Sequence, residues 1–479
     1  MILDPTRRHF LSLTLAVATG GGLGLILPAG ASRALAATPI SLVVERRVLE
    51  VKGKAASVFG IRQPNGTHGL VLDPGQRFLV NVTNQAGEDT VIHWHGQTPP
   101  NVQDGVTETG SASIKTGAQQ AYDFVPRAGT HWMHSHHGLQ EQQLMAAPLI
   151  VRKAEDLRRD AQEVIVLLHD FSFQDPAELF AQVTGGAMSQ PGTAMSGAMA
   201  GMATGKDKPD LNDIDYDAYL ANDRTLDDPL VIRTERGGRV RLRLINGATS
   251  TAFWIDLGGA AASIVAVDGN PVRPTTVNRF PLAQGQRVDL MVAMPEAGGI
   301  VPVLAQREGD RARTGIILAT PGAKVPRVDG RAETAATPID LSIEQRLAAA
   351  NPLATRNADV THRIALTGAM MPYVWSIDDR IWSNHKPLHI LRGQRVVLDM
   401  VNRSPMAHPM HLHGHHFQVV ALNGRTVAGA MRDTILVPVD GRVTVAFDAD
   451  NPGKWLFHCH NLLHMATGMM TEFDYATSV

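Results

Sequence analysis

Thiols are almost missing from this chain: among 479 residues there is a single cysteine, Cys459. With no second thiol to pair it, Cys459 is a liability unless something holds it. Net charge is nearly absent too, 44 Lys and Arg standing against 46 Asp and Glu, which argues against nucleic acid as a partner. Aromatic residues make up only 5%, whereas 44 Gly and 28 Pro are frequent, as expected for many strands joined by turns. The apolar run from Leu11 to Leu27 is broken by Gly20, Gly21, Gly22 and Gly24 and is short for a bilayer span, so the mature protein is expected not to cross a membrane. It follows Thr6-Arg7-Arg8-His9-Phe10-Leu11, a twin-arginine pattern, and precedes Ala34-Leu35-Ala36, an A-x-A cleavage site. Residues 1–37 are therefore expected to be a signal peptide for the twin-arginine export machinery, with a membrane anchor as the alternative and the periplasm as destination. Export suits the lone thiol, because an oxidising compartment endangers a free cysteine but not a thiolate held by metal.

Histidine is what the chain has instead. Near its end His458, Cys459, His460, His464 and Met469 stand in the order H-C-H-x3-H-x4-M. A thiolate, an imidazole five residues on and a thioether ten residues on are the ligand set of a blue-copper electron-transfer site that takes one more imidazole from elsewhere. His408, in an H-x2-H-x-H cluster with His411 and His413, supplies it. Four H-x-H pairs then remain, His93/His95, His134/His136, His411/His413 and His458/His460. Reducing dioxygen to water takes four electrons, so several redox metals must act on one molecule together. Eight neutral imidazoles divide as three, three and two over three coppers with positions left open. A zinc site uses four ligands and leaves most of these histidines unexplained. On an extended strand Cys459 faces one side and His458 and His460 the other, so an electron crosses one residue of backbone. His131, His137, His415 and His416 fall outside the motif positions and are expected to pack, to hydrogen-bond to ligands or to face solvent.

The chain also repeats itself. Gly75-Gln76-Arg77, Gly237-Gly238-Arg239 and Gly393-Gln394-Arg395 each open an alternating apolar stretch that closes on Asn84, Asn246 or Asn402, which reads as one half-buried strand. A later strand recurs as Gln119 to Phe124, Gln286 to Val292 and Arg442 to Phe447. The period predicts three copies of one β-sandwich. The expected boundaries are 38–154, 155–330 and 336–479. Where the first copy reads HWHG and the third HPMHLHG, the second has Thr251-Ala252-Phe253-Trp254-Ile255, so its expected role is to hold the first and third together.

These four motifs, in this order and at these spacings, resemble the multicopper oxidase family over nearly the whole mature chain. The resemblance implies an all-β fold of three cupredoxin-like Greek-key sandwiches and four copper ions. It makes His408, Cys459 and His464 the type 1 ligands with Met469 axial, and His93 and His411 the type 2 pair. His95, His134, His136, His413, His458 and His460 become the type 3 ligands, in the interface of the first and third domains. Asp104, in Q-D-G, matches an acid near type 2 copper that helps deliver protons. Asp433, in R-D-T, matches an acid close to the type 1 histidine that binds a cationic substrate or pairs with an arginine, Arg432 being adjacent.

The implied reaction couples four one-electron substrate oxidations to reduction of O2 to water, in a protein expected to be a monomer. The donor is less legible. A Gly, Ala and Ser-rich insertion at about 185–210 carries Met188, Met195, Met199 and Met202, and thioethers select Cu(I). That favours a periplasmic cuprous oxidase in copper tolerance, although the insertion falls in the second domain rather than beside the type 1 ligands. A laccase acting on phenols, aromatic amines or Mn(II) would need an open, partly apolar pocket at His464. A copper-binding storage or structural protein without turnover is the alternative from another class.

Overall fold

The computed structural model describes residues 38–185 and 211–475. The expected signal over residues 1–37 and the methionines from Met188 to Met202 lie outside the described residues. Strands dominate and form six sheets, two per sandwich.

The repeats have a common structural meaning. In each copy an opening strand runs parallel to the repeat strand, whose other edge takes an antiparallel partner. The triplets are Ile40–Val51, Phe78–Gln85 and Gln119–Phe124; Gln162–Phe171, Arg239–Asn246 and Arg287–Ala293; and Val360–Met370, Arg395–Asn402 and Arg442–Asp448. The closing asparagine does the same work three times. Asn84 donates to the carbonyls of Glu88 and Ile114 and accepts from Ala86 N; Asn246 donates to Thr251 and Leu282 and accepts from Ala248 N. Asn402 donates to Met406 and Val437 and accepts from Ser404 N. A buried primary amide has two donors and a carbonyl oxygen to satisfy, and this turn satisfies both kinds.

Burial alternates along Phe78–Gln85, as a half-buried strand requires. Arg239–Asn246 departs from that expectation and is buried on both faces from Val240 onward. Its outward Arg243 bonds Glu163, Asp289 and the hydroxyl of Thr130, which belongs to the first sandwich. The charged face of the second copy is thus an interface closed by ion pairs, and the strand it meets, Gly129–Ser135, carries His134. Toward the third sandwich the second is joined differently, through one continuous apolar core. Residues 320–359 form no named strand, but Ile339, Leu341, Ile343 and Leu347 pack into that shared core. The first sandwich keeps a core of its own. Among the described residues no helix is long and apolar enough to cross a membrane.

Candidate metal centres

Strand period explains the mononuclear site. His408–Leu412 and Lys454–Cys459 pair antiparallel with Met410 opposite Cys459 and His411 opposite His458. Even-numbered His408 and Met410 therefore face the core of the third sandwich, and His411 faces away. Cys459 Sγ lies 3.6 Å from His408 Nδ1 and 3.6 Å from His464 Nδ1, and these nitrogens are 3.1 Å apart. The turn after Cys459 is fixed by Asn461, whose side chain accepts from the Leu463 and His464 amides. Met469 is fully buried, its N–H donating to His464 O and its carbonyl accepting from Cys459 N. Trp375 closes the site, its ring 4.2 Å from that of His464 and 5.3 Å from that of His408.

The donor set fits copper. Three soft or borderline atoms converge on one point, and burial pushes the Cys459 thiol pKa up, so a thiolate there requires a bound cation. Burial also holds His408 well below the ordinary imidazole range, in the neutral form that binds metal.

All eight other imidazoles meet between the first and third sandwiches. Five turn Nε2 inward because Nδ1 is taken. His93 and His411 bond through Nδ1 to the carbonyls of Asp104 and Asp433, and His458 to that of Cys459. His413 Nδ1 meets Asp104 Oδ2 at 2.8 Å, and His134 Nδ1 meets Glu141 Oε2 at 2.9 Å. His95 is reversed: its Nε2 sits 3.1 Å from Asp433 Oδ1 and from Thr434 Oγ1, leaving Nδ1 free. The inward nitrogens lack protein partners at His95 Nδ1, His134 Nε2, His136 Nε2 and His460 Nε2. His413 Nε2 faces His458 Nε2 at 3.0 Å, and His93 Nε2 faces His411 Nε2 at 3.5 Å. Buried ring nitrogens without partners, facing one another, are costly unless metals hold them. Burial, then neighbouring imidazoles and at His95 first the Arg287 guanidinium, keep His95, His134, His136, His413 and His460 well below 6.5.

The acids do not all stand where the motifs suggested. Asp104 is fully buried between His93 and His413, at 3.3 and 2.8 Å from their Nδ1 atoms. Asp433 requires a correction. It does not approach the mononuclear site and exposes no surface to a substrate; it lies against His95 and His411. Its arginine is Arg287 of the second sandwich, whereas Arg432 bonds Glu344 and Asp268. Burial alone would raise the Asp433 pKa, but the Arg287 guanidinium overrides this and holds it far below the carboxylate range. The acid beside the mononuclear site is Asp213, with Oδ2 3.5 Å from His464 Nε2. It accepts from Tyr373 Oη at 2.6 Å and Asn461 Nδ2 at 2.7 Å. The other ligand, His408, has Nε2 on Ser404 Oγ at 2.6 Å.

The described residues on either side of the insertion, itself outside the described residues, approach the mononuclear site. Asp213 lies just beyond the segment's end, and helix Pro176–Thr184 before the segment packs on strand Tyr373–Ile377, so both stems stand at the His464 side. The sequence signal available was a run of acids, Asp210, Asp213 and Asp215, directly after the methionines. Glu141 was signalled less, by a Gln-Glu-Gln turn after H-S-H. Among the four extra histidines, His415 meets Tyr475 Oη, His416 bonds Asn270 and Gly96 O, His131 is buried and His137 is exposed.

Sequence profiles described as Multicopper oxidase match residues 44–156, 163–318 and 355–478. Multicopper oxidase MmcO of Mycobacterium tuberculosis is 34% identical over 413 residues, covering 84% of this chain and 80% of that protein. Copper resistance protein A of Escherichia coli is 26% identical over 98% of this chain and 99% of its own length. Among solved structures, Fet3p, described as a multicopper oxidase that functions in iron import, superposes with a TM-score of 0.75 at 16% identity, over 91% of this chain and 90% of its own; it shares the fold.

Proposed function

The chain belongs to the multicopper oxidase family and is a copper-dependent oxidoreductase, and from that premise we propose that it is a periplasmic, four-copper cuprous oxidase serving copper tolerance. With copper bound, the thiolate site supplies one-electron oxidation and the imidazole cluster four-electron reduction of O2 to water. The observation that carries the reading is the pair of faces around Cys459. Its Sγ meets His408 and His464, while His458 and His460, one peptide away on either side, point into the eight-imidazole cluster. In this reading His93 and His411 hold the type 2 ion, and the type 3 ions take His95, His134 and His460, and His136, His413 and His458. The geometry supports this division, because ring centroids of His95, His134 and His460 lie 5.0–5.7 Å apart. The other three lie about 5.1 Å apart. Asp104 holds His93 and His413 in their tautomers and is the acid placed to move protons.

The donor reading rests on the surroundings of His464. Its side chain has no exposed surface and meets the Asp213 carboxylate, which favours a cation over the open apolar pocket that the laccase alternative calls for. A carboxylate beside His464 suits a cation, and the methionines that precede Asp213 in sequence are thioethers that favour Cu(I). The copper-resistance relatives support the same choice, and the T-R-R-x-F-L signal supports export. The test is oxygen uptake by copper-loaded protein given Cu(I) or a phenol, with and without residues 186–210, alongside elemental analysis for four coppers per chain. Efficient Cu(I) oxidation that the deletion selectively impairs is expected. Dominant phenol turnover insensitive to the deletion would replace the donor assignment with a laccase, and no oxygen uptake from a fully loaded protein would leave only storage.

A further inference from the structure

Away from the copper ligands, the described part-buried arginines are generally matched by acids. Arg47 has Asp223, Arg152 has Glu163, Arg241 and Arg243 share Asp289, and Arg395 has Asp448. Arg127 is different. Its Nη2 donates to Asn270 Oδ1 at 3.1 Å, its Nε is buried without a partner, and no carboxylate oxygen comes within 4.0 Å of it. Burial lowers its pKa, with only the more distant Asp433 and Asp450 opposing. Lys153, likewise without an ion pair, lines the same cavity of about 340 Å³. The wall also includes Gly269, Asn270 and Pro271 of the second sandwich, Asn351 and Met431, and no carboxylate lines it.

The floor of this cavity is rigid. The Arg127 backbone is pinned by a two-way bond to Gln97: its N–H donates to Gln97 Oε1 at 2.8 Å and its carbonyl accepts from Gln97 Nε2 at 3.2 Å. Gly129 and Gly269 approach so closely that a Cβ on Gly129 would lie 2.5 Å from Gly269 Cα. Asn270 is held in turn by His416 Nδ1 at 2.7 Å. Two cations line a space that no carboxylate lines, and a planar guanidinium fork matches an oxyanion in two-point contact.

We propose that this cavity binds a small oxyanion of the phosphate or sulfate class, held by the Arg127 guanidinium and Lys153 Nζ with the Asn351 amide, and that the anion ties the first sandwich to the second and to the segment leading into the third. Nothing in the oxidase reaction uses it. Binding to the folded state alone makes stability rise with anion concentration.

The test is calorimetric titration of inorganic phosphate, and separately sulfate, into copper-loaded protein at fixed ionic strength, with thermal melts in parallel. Wild type is expected to bind one anion and to melt higher in phosphate than in chloride. An Arg127→Gln, Lys153→Gln double variant, with its blue absorption and oxidase activity kept as evidence of folding, should bind roughly tenfold more weakly or worse. Phosphate also reaches copper, so equal binding by wild type and variant would overturn the site, as would no binding by wild type. If the double variant fails to fold, Lys153→Gln alone carries the same comparison.

Discussion

The mononuclear pocket and the eight-imidazole cluster are one residue apart along the backbone, yet they are constructed in opposite ways. The first is made by a single sandwich: His408, Cys459, His464 and Met469 all come from the third copy, and only the outer cap, Asp213, is borrowed. The second exists only where two copies meet, each giving four imidazoles, and its orientation depends on acids drawn from the first and third copies and on an arginine from the second. A site inside one domain is stabilised by that domain's apolar core. A site between domains needs polar connections to set the distance between them, and Arg287, Asp433 and Asp268 make them in full burial.

The largest way to break this comparison is to remove one centre and keep the other. Cys459→Ser is expected to abolish the blue absorption and all substrate oxidation while copper content falls by one ion per chain. Oxidase activity surviving in that variant would defeat the electron-entry role. Acid should act on the opposite centre and its surroundings, where His458 of the cluster and the neighbouring His415 and His416 are buried. Burial lowers the pKa of His415 and His458 to about 4 and of His416 to about 3. These folded values lie below the unfolded value near 6.5, so as pH falls through about 6.5 the unfolded chain takes up protons first and stability is lost until the folded values are reached. The slope is about 1.4 kcal/mol per pH unit for each such histidine. Copper-free protein should therefore melt progressively lower from pH 6.5 to 4, and a flat profile would contradict neutral burial. Next in size, Arg287→Met leaves Asp433 and Asp268 with one fewer counter-charge, and chemical denaturation should show a loss of about 3–5 kcal/mol.

How far each centre could be read from sequence follows the same division. H-x-H and H-x2-H-x-H were legible because strand period fixes which residues share a face, and Asn84, Asn246 and Asn402 exposed the threefold repeat because one buried turn recurs. What stayed hidden crosses between copies. Asp433 looked like a partner for adjacent Arg432, but successive strand residues point apart, and each found its counter-charge elsewhere. Arg241 and Arg243 alternate as a solvent face does, and only the docked first sandwich reveals them as interface. Asp213 reaches His464 from another domain, a contact with no periodicity to announce it.

The two smallest effects sharpen the mononuclear half. Asp213→Asn keeps the Tyr373 contact but removes the charge over His464, and donor oxidation should fall by about 10–100-fold in kcat/KM. The effect should be larger for Cu(I) than for a neutral phenol; equal losses would mean that Asp213 orients the imidazole without binding the donor. Met469→Leu should alter less. Leucine is close in volume, so the buried turn that gives Met469 N–H to His464 and its carbonyl to Cys459 persists. A thioether donates weakly along the axis and favours Cu(II), so its loss favours Cu(I) and the reduction potential of the blue band should rise in a redox titration. The cluster, which shares no ligand with Met469, should keep its spectra. A potential that falls would remove Met469 from the axial position.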